Sequence, residues 1–223
     1  MNIVALVMAG GKGKRLGLTE EKPLVRIHGK PMIHYVIETL KKSKYVDRIV
    51  VVTTKNTKKT SNEVKKLSVM VEEAPGRDYI SDIQYVAKKL GLSCIFLVVS
   101  ADLPCITNNL IDDIIEHFKA SDKPALCVTI SSKAYKSMGL KPSYIFMFNE
   151  KDVVPVGINV IKSDKINKPK IEEEVLILTS DKVKFVVNVN TKEELIIATE
   201  ILAKNSSQTY LHYSLFNKYC FTT

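Results

Sequence analysis

Three short segments in the N-terminal half of the chain are apolar on both faces, and they constrain the fold more than any other feature. They are NIVALVMA at 2–9, DRIVVVTT at 47–54 and CIFLVVS at 94–100. Strands of this kind are typical of a parallel sheet that is covered on both sides. Residues 31–42 and 79–90 carry apolar side chains at helical spacing. The pattern predicts an α/β fold, a single Rossmann-like domain whose mostly parallel, mixed central sheet has helices on both faces.

The second half of the chain has fewer helices between its strands, which predicts the mixed strand direction. Further helices are expected over 57–67, from Thr107 to about Phe118, and over 191–204. Further strands are expected near 68–72, 125–131, 143–148, 154–162 and 184–189. No linker, internal repeat or low-complexity stretch interrupts this pattern, so we expect one domain over residues 1–204.

The remaining segment, residues 205–223, differs in character from the domain. It holds one charged residue, Lys218, and five aromatic residues. A docked helix, a partner-binding segment and non-native sequence are all compatible with this composition.

The composition excludes several classes of protein. Hydrophobic residues make up 45% of the chain, too many for a disordered protein. No apolar run approaches the roughly 18 residues of a membrane span, and the first strand runs into glycines and lysines without the features of a signal peptide. The four cysteines form no CxxC pair and lack histidines at zinc-ligand spacing, so we expect thiols in a reducing cytoplasm.

The net charge of +9 favours an anionic partner. The lysines are scattered and have no aromatic residues interleaved, which argues against nucleic acid. A lysine-rich solvated surface is the simplest explanation of the charge, and a small polyanionic substrate is the next.

A glycine-rich basic loop follows the first strand. Residues 8–17 read MAGGKGKRLG, and EKPL follows at 21–24. The glycines let backbone N–H groups approach an anion closely, which suits a triphosphate. The P-loop string is absent, and the dinucleotide fingerprint lacks its third glycine, at Leu16. The alternative is a merely structural basic turn. Four cations lie in or after the loop: Lys12, Lys14, Arg15 and Lys22.

Two further motifs place polar side chains after buried segments. Asp102 follows the strand 94–100 in the sequence SADLP, where a carboxylate beside a polyphosphate loop would hold Mg²⁺. The alternative is that Asp102 only caps a turn. In VNVNTKEEL at 187–195, Thr191 and Glu194 form a capping box. Asn190 stands at the corner before that helix, where a second metal ligand could point inward.

In this order, MAGGKGKRLG, EKPL, GKPMIHYVIETL, SADLP and NVNTKEEL resemble the sugar- and cofactor-nucleotidyltransferases of the GT-A-like fold. The resemblance covers about residues 1–204. Within that superfamily NVNT is similar to the molybdenum cofactor guanylyltransferases. PGRDYISDIQYV and PVGIN are most similar to the archaeal guanylyltransferases of cobalamin synthesis.

The resemblance implies GTP and a phosphorylated acceptor, adenosylcobinamide phosphate, as substrates and Mg²⁺ as the cofactor. It implies catalytic roles for Arg15, Lys22 and Asp102. It implies metal ligation by Asp102, with Asn190 and Asn188 nearby. The implied nucleotide-binding residues are Met8, Ala9, Gly10, Gly11, Lys12, Gly13, Lys14, Arg15, Lys22, Gly76, Ser81, Asp82, Ser100, Ala101 and Asp102, with guanine read around Gly76–Asp82.

The chemistry of such a transfer needs no general base. An acceptor phosphate with a second pKa of about 6 is already anionic at neutral pH, so positioning and charge neutralisation suffice. The four histidines are accordingly expected to be structural or solvated. The alternatives are another acceptor, molybdopterin or a sugar 1-phosphate, and a non-catalytic nucleotide-binding regulator. We expect a cytoplasmic protein with no membrane span, and a homodimer is left open.

Overall fold

The computed structural model describes residues 2–11, 13, 16–17, 19–91, 93–168 and 171–204. Strands and helices alternate along the first half of the chain, as the sequence predicts. The strands are β1 (Ile3–Met8), β2 (Arg26–Ile27), β3 (Lys30–Pro31), β4 (Arg48–Thr53), β5 (Met70–Glu73), β6 (Ile95–Ser100), β7 (Ala125–Ser131), β8 (Phe146–Phe148), β9 (Lys151–Lys162) and β10 (Glu173–Leu178). The helices are α1 (Met32–Lys41), α2 (Lys58–Lys65), α3 (Tyr79–Leu90), α4 (Asn108–Ala120), α5 (Ser132–Ser137) and α6 (192–204), with 3-10 turns at Lys22–Leu24, Ser163–Lys165 and Ser180–Phe185.

Eight strands form one sheet in the order β10-β7-β9-β6-β1-β4-β5, with β8 paired to β9 outside this path. β1 is parallel to β4 and β6, β4 to β5, and β7 to β10. β9 is antiparallel to β6, β7 and β8. Among the strands of this sheet that the structure describes, β9 alone therefore runs in the opposite direction. The carboxyl ends of the others meet at one edge of the sheet, the edge at which ligands bind in open α/β sheets.

Apolar layers cover both faces of the sheet. In β1, Ile3, Ala5 and Val7 belong to the layer that includes α1, α4 and α6. Val4 and Leu6 belong to the opposite layer, which includes α3. All five side chains are almost completely buried. The two-faced apolar pattern of the sequence is therefore explained by helices on both sides of a central strand.

Local capping fixes where the helices begin and end. Thr107 Oγ1 accepts a hydrogen bond from the Leu110 N–H at 3.2 Å and caps α4. Asp78 caps α3 in the same way, through the Ser81 N–H at 2.9 Å. Gly91 ends α3 in the left-handed conformation, with φ of 59°, which a residue without Cβ adopts at little cost.

The predicted last strand near 184–189 is wrong. Residues up to Phe185 form a 3-10 turn and the next ones are irregular, whereas the edge strand is β10, earlier in the chain. Val186, Val187 and Val189 are fully buried, so their apolar pattern reflects burial without a strand ladder. The short helix α5 was also not predicted.

Among the helices that the structure describes, none combines the length and the apolar character needed to cross a bilayer.

Candidate active site

The carboxyl edge of the sheet brings the three sequence motifs together. Met8 at the end of β1 pairs with Ser100 at the end of β6. The Ala101 N–H donates to the Met8 carbonyl at 3.1 Å, so the segments that follow β1 and β6 leave the sheet side by side. The Val189 N–H donates to the Asp102 carbonyl at 3.0 Å, which ties the asparagine-rich segment to the same place. Residues that are far apart in sequence therefore form one site.

At the centre of this site the Lys22 ammonium lies between two oxygen atoms. It forms an ion pair with Asp102 Oδ2 and donates to Asn190 Oδ1 at 2.8 Å. Asn188 Nδ2 donates to the other carboxylate oxygen, Asp102 Oδ1, at 3.1 Å. The side chains of Lys22 and Asp102 are only 13% and 12% exposed. A cation thus occupies the space between a carboxylate and an amide oxygen at the ligand-binding edge.

The segment before Lys22 is held by a cap on a neighbouring helix. The Glu21 carboxylate accepts from the N–H groups of Lys59 and Thr60, at 2.9 Å and 2.7 Å, and from the Thr60 hydroxyl at 2.7 Å. An acidic group at the start of α2 is also favoured by the helix dipole. The sequence analysis missed this role of Glu21. The only indication in the sequence is that Glu21 comes immediately before a Lys-Pro pair.

Gly13 of the basic loop packs directly against Lys22. Its φ of +59° is in the left-handed region, and a Cβ atom there would lie 2.6 Å from Lys22 Cβ. A side chain at this position would therefore be strained and would displace Lys22. The glycine is required by close packing as well as by any approach of the loop to an anion. The loop residues Lys12, Lys14 and Arg15 lie outside the described residues.

Gly157 in β9 allows the asparagine segment to approach the end of β6. Its φ is +75°, and a Cβ atom there would lie 3.1 Å from Asn188 Nδ2 and 3.1 Å from Ser100 Cβ. Sequence reasoning did not include Gly157 among the site residues. The available signal was a single glycine between Val156 and Ile158 in a β-branched strand, a pattern that marks close backbone approach.

We expect Gly157→Ala to lower turnover about tenfold, because the new methyl group would push Asn188 away from the carboxylate that it orients. The left-handed φ adds a conformational cost of about 1 kcal/mol. Gly139→Ala is a matched control, since Gly139 has a φ of +74° but open space around its Cβ position. Steady-state kinetics and thermal unfolding of both variants separate the two effects. Equal turnover in the two variants would contradict the role given to Gly157.

The oxygen atoms around Lys22 suit a hard cation. Asp102 supplies a carboxylate and Asn190 an amide oxygen, and Mg²⁺ is commonly held by one or two protein ligands plus substrate phosphates. Asn188 differs from expectation, because a carboxylate only accepts hydrogen bonds and so faces the nitrogen of its amide. In this arrangement the amide nitrogen of Asn188 orients Asp102, and a role of Asn188 as a metal ligand stays a prediction. The described residues contain no cluster of three or more His, Cys, Asp or Glu side chains suited to a metal.

Two hollows lie at the end of β1 and share Met8, Gly11 and Ser100 in their walls. A small one of 70 Å³ has Met8, Ala9, Gly11, Lys22, Ser100, Ala101 and Asp102 in its wall. A larger one of 340 Å³ is lined by residues that include Gly10, Gly76, Arg77, Asp82 and Ser100. Most of the described residues that the sequence assigned to the nucleotide therefore share one surface. A cleft of 620 Å³ lies at the opposite edge, beside Arg48 and Met70, and is remote from these residues.

Ser81 does not line either hollow, contrary to expectation. Its hydroxyl donates to Asp78 Oδ2 at 2.6 Å and its N–H to Asp78 Oδ1 at 2.9 Å, and these hydrogen bonds lower the pKa of the Asp78 carboxyl. Ser81 is therefore used in capping α3. Asp82 is 7% exposed, and its Oδ1 accepts from the Gly76 N–H at 2.9 Å, so this pair shapes the turn that borders the larger hollow.

The described histidines lie away from Asp102. His28 Nε2 contacts the Thr199 carbonyl at 2.9 Å, His117 contacts Glu174 at 2.8 Å, and His34 lies beside Glu63. His212 is outside the described residues.

The fold and the site together define a nucleotidyltransferase-like protein. Residues 5–200 match the family model described as the MobA-like NTP transferase domain, and the chain belongs to this family. It is 35% identical over 212 residues to the adenosylcobinamide-phosphate guanylyltransferase of Methanocaldococcus jannaschii, covering 90% of this chain and 98% of that protein. It is 30% identical over 212 residues to a probable molybdenum cofactor guanylyltransferase of Thermococcus kodakarensis, covering 93% and 99%.

A solved structure supports the fold. CMP:2-keto-3-deoxy-manno-octonic acid synthetase complexed with CTP matches with a TM-score of 0.69 at 15% identity, over 92% of this chain and 98% of that chain. The predicted fold class and the resemblance to nucleotidyltransferases are thereby confirmed.

Proposed function

We propose that the protein is a Mg²⁺-dependent guanylyltransferase that moves GMP from GTP to adenosylcobinamide phosphate, giving adenosylcobinamide-GDP and pyrophosphate. The observation that carries the proposal is the 35% identity, along nearly the full length of both chains, to a guanylyltransferase of that name. The ion pair of Lys22 and Asp102 at the carboxyl edge of the sheet supports the same reaction class.

Lys22 and the glycine loop would bind the triphosphate in this proposal. Lys22 lines the 70 Å³ hollow together with Ala9 and Gly11. The Thr54 hydroxyl donates to the Gly10 carbonyl at 3.1 Å and holds this part of the loop in place. An ammonium beside the triphosphate would stabilise charge on the transferring phosphoryl group.

Asp102 and Asn190 would hold Mg²⁺ through Asp102 Oδ2 and Asn190 Oδ1, the two oxygens that the Lys22 ammonium now contacts. When bound, the metal supplies positive charge to the phosphate oxygens. The Lys22 ammonium balances the Asp102 carboxylate in the free protein, and a metal ion held by Asp102 would offset the further negative charge that a triphosphate brings. Asn188 would keep the carboxylate oriented.

Acid–base catalysis has no required place in this mechanism. The acceptor phosphate is anionic at neutral pH and attacks the α-phosphorus directly. The residues of the chain align the two phosphates and neutralise charge, which are the main contributions in phosphoryl transfer. The location of the described histidines, away from Asp102, agrees with this proposal.

The test is incubation of the full chain with Mg²⁺, each of the four nucleoside triphosphates and adenosylcobinamide phosphate, with pyrophosphate release as the readout. We expect release with GTP, and a product whose mass is that of adenosylcobinamide-GDP. Molybdopterin is the second acceptor to include, because a molybdenum cofactor guanylyltransferase is 30% identical over most of the chain. Transfer to molybdopterin alone would replace the proposed acceptor and keep the reaction class.

We expect GTP to bind at least tenfold more tightly than ATP, CTP or UTP, since a bidentate pair of hydrogen bonds to a base edge discriminates against the wrong base by about 1–3 kcal/mol. Calorimetric titration of each nucleotide measures this. Equal affinity for all four would remove the guanylyl assignment while leaving nucleotidyl transfer.

We also propose residues 1–204 as the catalytic domain, in line with the family match over 5–200. The segment 205–223 lies outside the described residues. A cytoplasmic location and a homodimer stay predictions.

A further inference from the structure

A further cavity of 300 Å³ adjoins the asparagine segment, residues 187–190. Its wall includes Tyr79, Tyr135, Tyr144, Asn159, Asn188 and Asn190. None of the described residues that line it is charged. The neighbouring 340 Å³ hollow differs, because Arg77, Asp78 and Asp82 border it. In a chain with a net charge of +9, a cavity lined by uncharged groups fits an occupant that is recognised by its shape, its apolar surface and its hydrogen bonds.

One side of this cavity is formed by β9, together with Ser143 and Tyr144 just before β8, the strand that pairs with β9 in a hairpin. Its turn consists of Asn149 and Glu150, both with positive φ, 46° and 60°, and Phe148 pairs with Lys151 across it. A two-residue turn of this conformation matches the twist of the strands and makes a firm hairpin. Phe146 and Met147 are neighbours in β8 and point to opposite faces.

An aromatic pair stands at the mouth of the cavity. The rings of Tyr144 and Phe146 are stacked, with centroids 6.0 Å apart and planes inclined by 28°. Tyr144 is 63% exposed although it lines the cavity. An exposed ring supported from behind by a second ring offers a flat apolar surface at little cost in side-chain entropy. Such a surface suits the face of a large ring system.

The inner end of the cavity presents neutral hydrogen-bonding groups close to Asp102. Burial raises the pKa of the Tyr79 hydroxyl to about 12, and burial also raises the pKa of Tyr135. Each hydroxyl is therefore a protonated donor at neutral pH. Asn188 lines the same cavity and donates to Asp102 Oδ1 at 3.1 Å, so this end of the cavity adjoins the carboxylate. Asn159 Nδ2 approaches the Tyr79 hydroxyl at 3.5 Å, and Tyr79 also borders the 340 Å³ hollow.

We propose that this cavity and the Tyr144–Phe146 pair bind one edge and one face of the acceptor's body, a large ring system with apolar faces and carboxamide edges. The inference rests on the proposed function. The apolar face lies against Tyr144, the carboxamides bond to Tyr79, Asn159 and other amide groups of the wall, and the acceptor phosphate points toward Asn190. A corrin ring has this chemistry, whereas a sugar 1-phosphate is small and rich in hydroxyls. The cavity thus selects the acceptor.

The test is Tyr144→Ala, because the loss of one ring that stacks on the bound acceptor weakens binding by about tenfold. We expect the KM for adenosylcobinamide phosphate to rise about tenfold while the Kd for GTP changes less than twofold. Two variants are matched controls. Tyr85→Ala removes an exposed tyrosine of α3, and Met147→Ala shortens a side chain on the opposite face of the same hairpin; these residues are 43% and 74% exposed. Both controls keep the wild-type KM for the acceptor.

A direct titration separates failure of this inference from failure of the proposed function. Adenosylcobinamide, which lacks the phosphate and cannot react, is titrated into the wild type and Tyr144→Ala in the presence of GTP and Mg²⁺. Binding to the wild type that is about tenfold weaker in the variant supports the site, even if no GMP is transferred. Equal binding to both proteins, or none to the wild type, overturns it. If Tyr144→Ala instead converts a dimer to a monomer in sedimentation without changing acceptor binding, the face is an interface between copies and the inference falls.

Discussion

We expect Asp102→Asn to reduce turnover by a factor of about 10² or more, the scale seen when one electrostatic stabiliser of a transition state is lost. The substitution keeps the shape of the side chain and removes its charge. The carboxylate at position 102 would then be a neutral amide beside Asn190. Two amides hold a divalent cation poorly, because neither carries a negative charge. Nucleotide binding without metal should survive or tighten, because the negative charge nearest to the triphosphate is gone.

The measurements are turnover with Mg²⁺ and nucleotide affinity with and without a chelator. Asp112→Asn is the matched control. Asp112 is 4% exposed, and its carboxylate accepts from the Ser43 hydroxyl at 2.6 Å and the Lys44 N–H at 3.1 Å. We expect Asp112→Asn to have a lower melting temperature than the wild type and the same turnover per folded molecule. If Asp102→Asn behaved like the control, Asp102 would be a structural residue and the metal site would lie elsewhere.

The sequence predicted those elements of the fold whose signals are local. Segments that are apolar on both faces became central strands, and the helices predicted over 79–90 and from Thr107 were found within about two residues of those bounds. The sequence prediction failed where a buried segment does not pair as a strand, and where a paired strand is only partly buried. Val186–Val189 are buried and yet outside any ladder, whereas Glu173–Leu178 form an edge strand that is only partly buried and begins with two glutamates. The periodicity of apolar residues indicates burial, and an edge strand is buried too little to produce a clear pattern.

For the site, the sequence predicted the motifs but not their mutual contacts. Asp102 and Asn190 were expected at the same edge, and the structure places both against Lys22. These contacts join residues 80 and 168 positions apart, so no local pattern encodes them. The same limit explains why Gly157 was missed, since its need for close approach appears only when β9 lies beside β6. Ser81 was assigned to the nucleotide because the family resemblance implies guanine recognition around Gly76–Asp82. In the structure its hydroxyl donates to Asp78.

Lys22→Met should lower both turnover and stability, which distinguishes it from Asp102→Asn. Turnover is expected to fall by about 10² or more, because a fixed positive charge at the triphosphate is lost. Stability is expected to fall by about 2 kcal/mol, since the Asp102 carboxylate is left without its cation. That cost lies below the roughly 3–5 kcal/mol of a fully buried broken pair, because 12% of the Asp102 side chain stays exposed.

The double variant Lys22→Met/Asp102→Asn tests this explanation. If the stability loss in Lys22→Met comes from an unpaired charge, removing that charge should restore about 1–2 kcal/mol even though a further native group has been changed. Lys66→Met is the control: Lys66 is 71% exposed and pairs with Glu63 at 2.8 Å, and an exposed pair of this kind contributes about 0.5 kcal/mol. Urea unfolding of the four proteins at neutral pH, beside the wild type, measures each difference. A double variant no more stable than Lys22→Met would show that the lysine stabilises the fold through packing of its alkyl chain, and that Asp102 does not need a cation in the free protein.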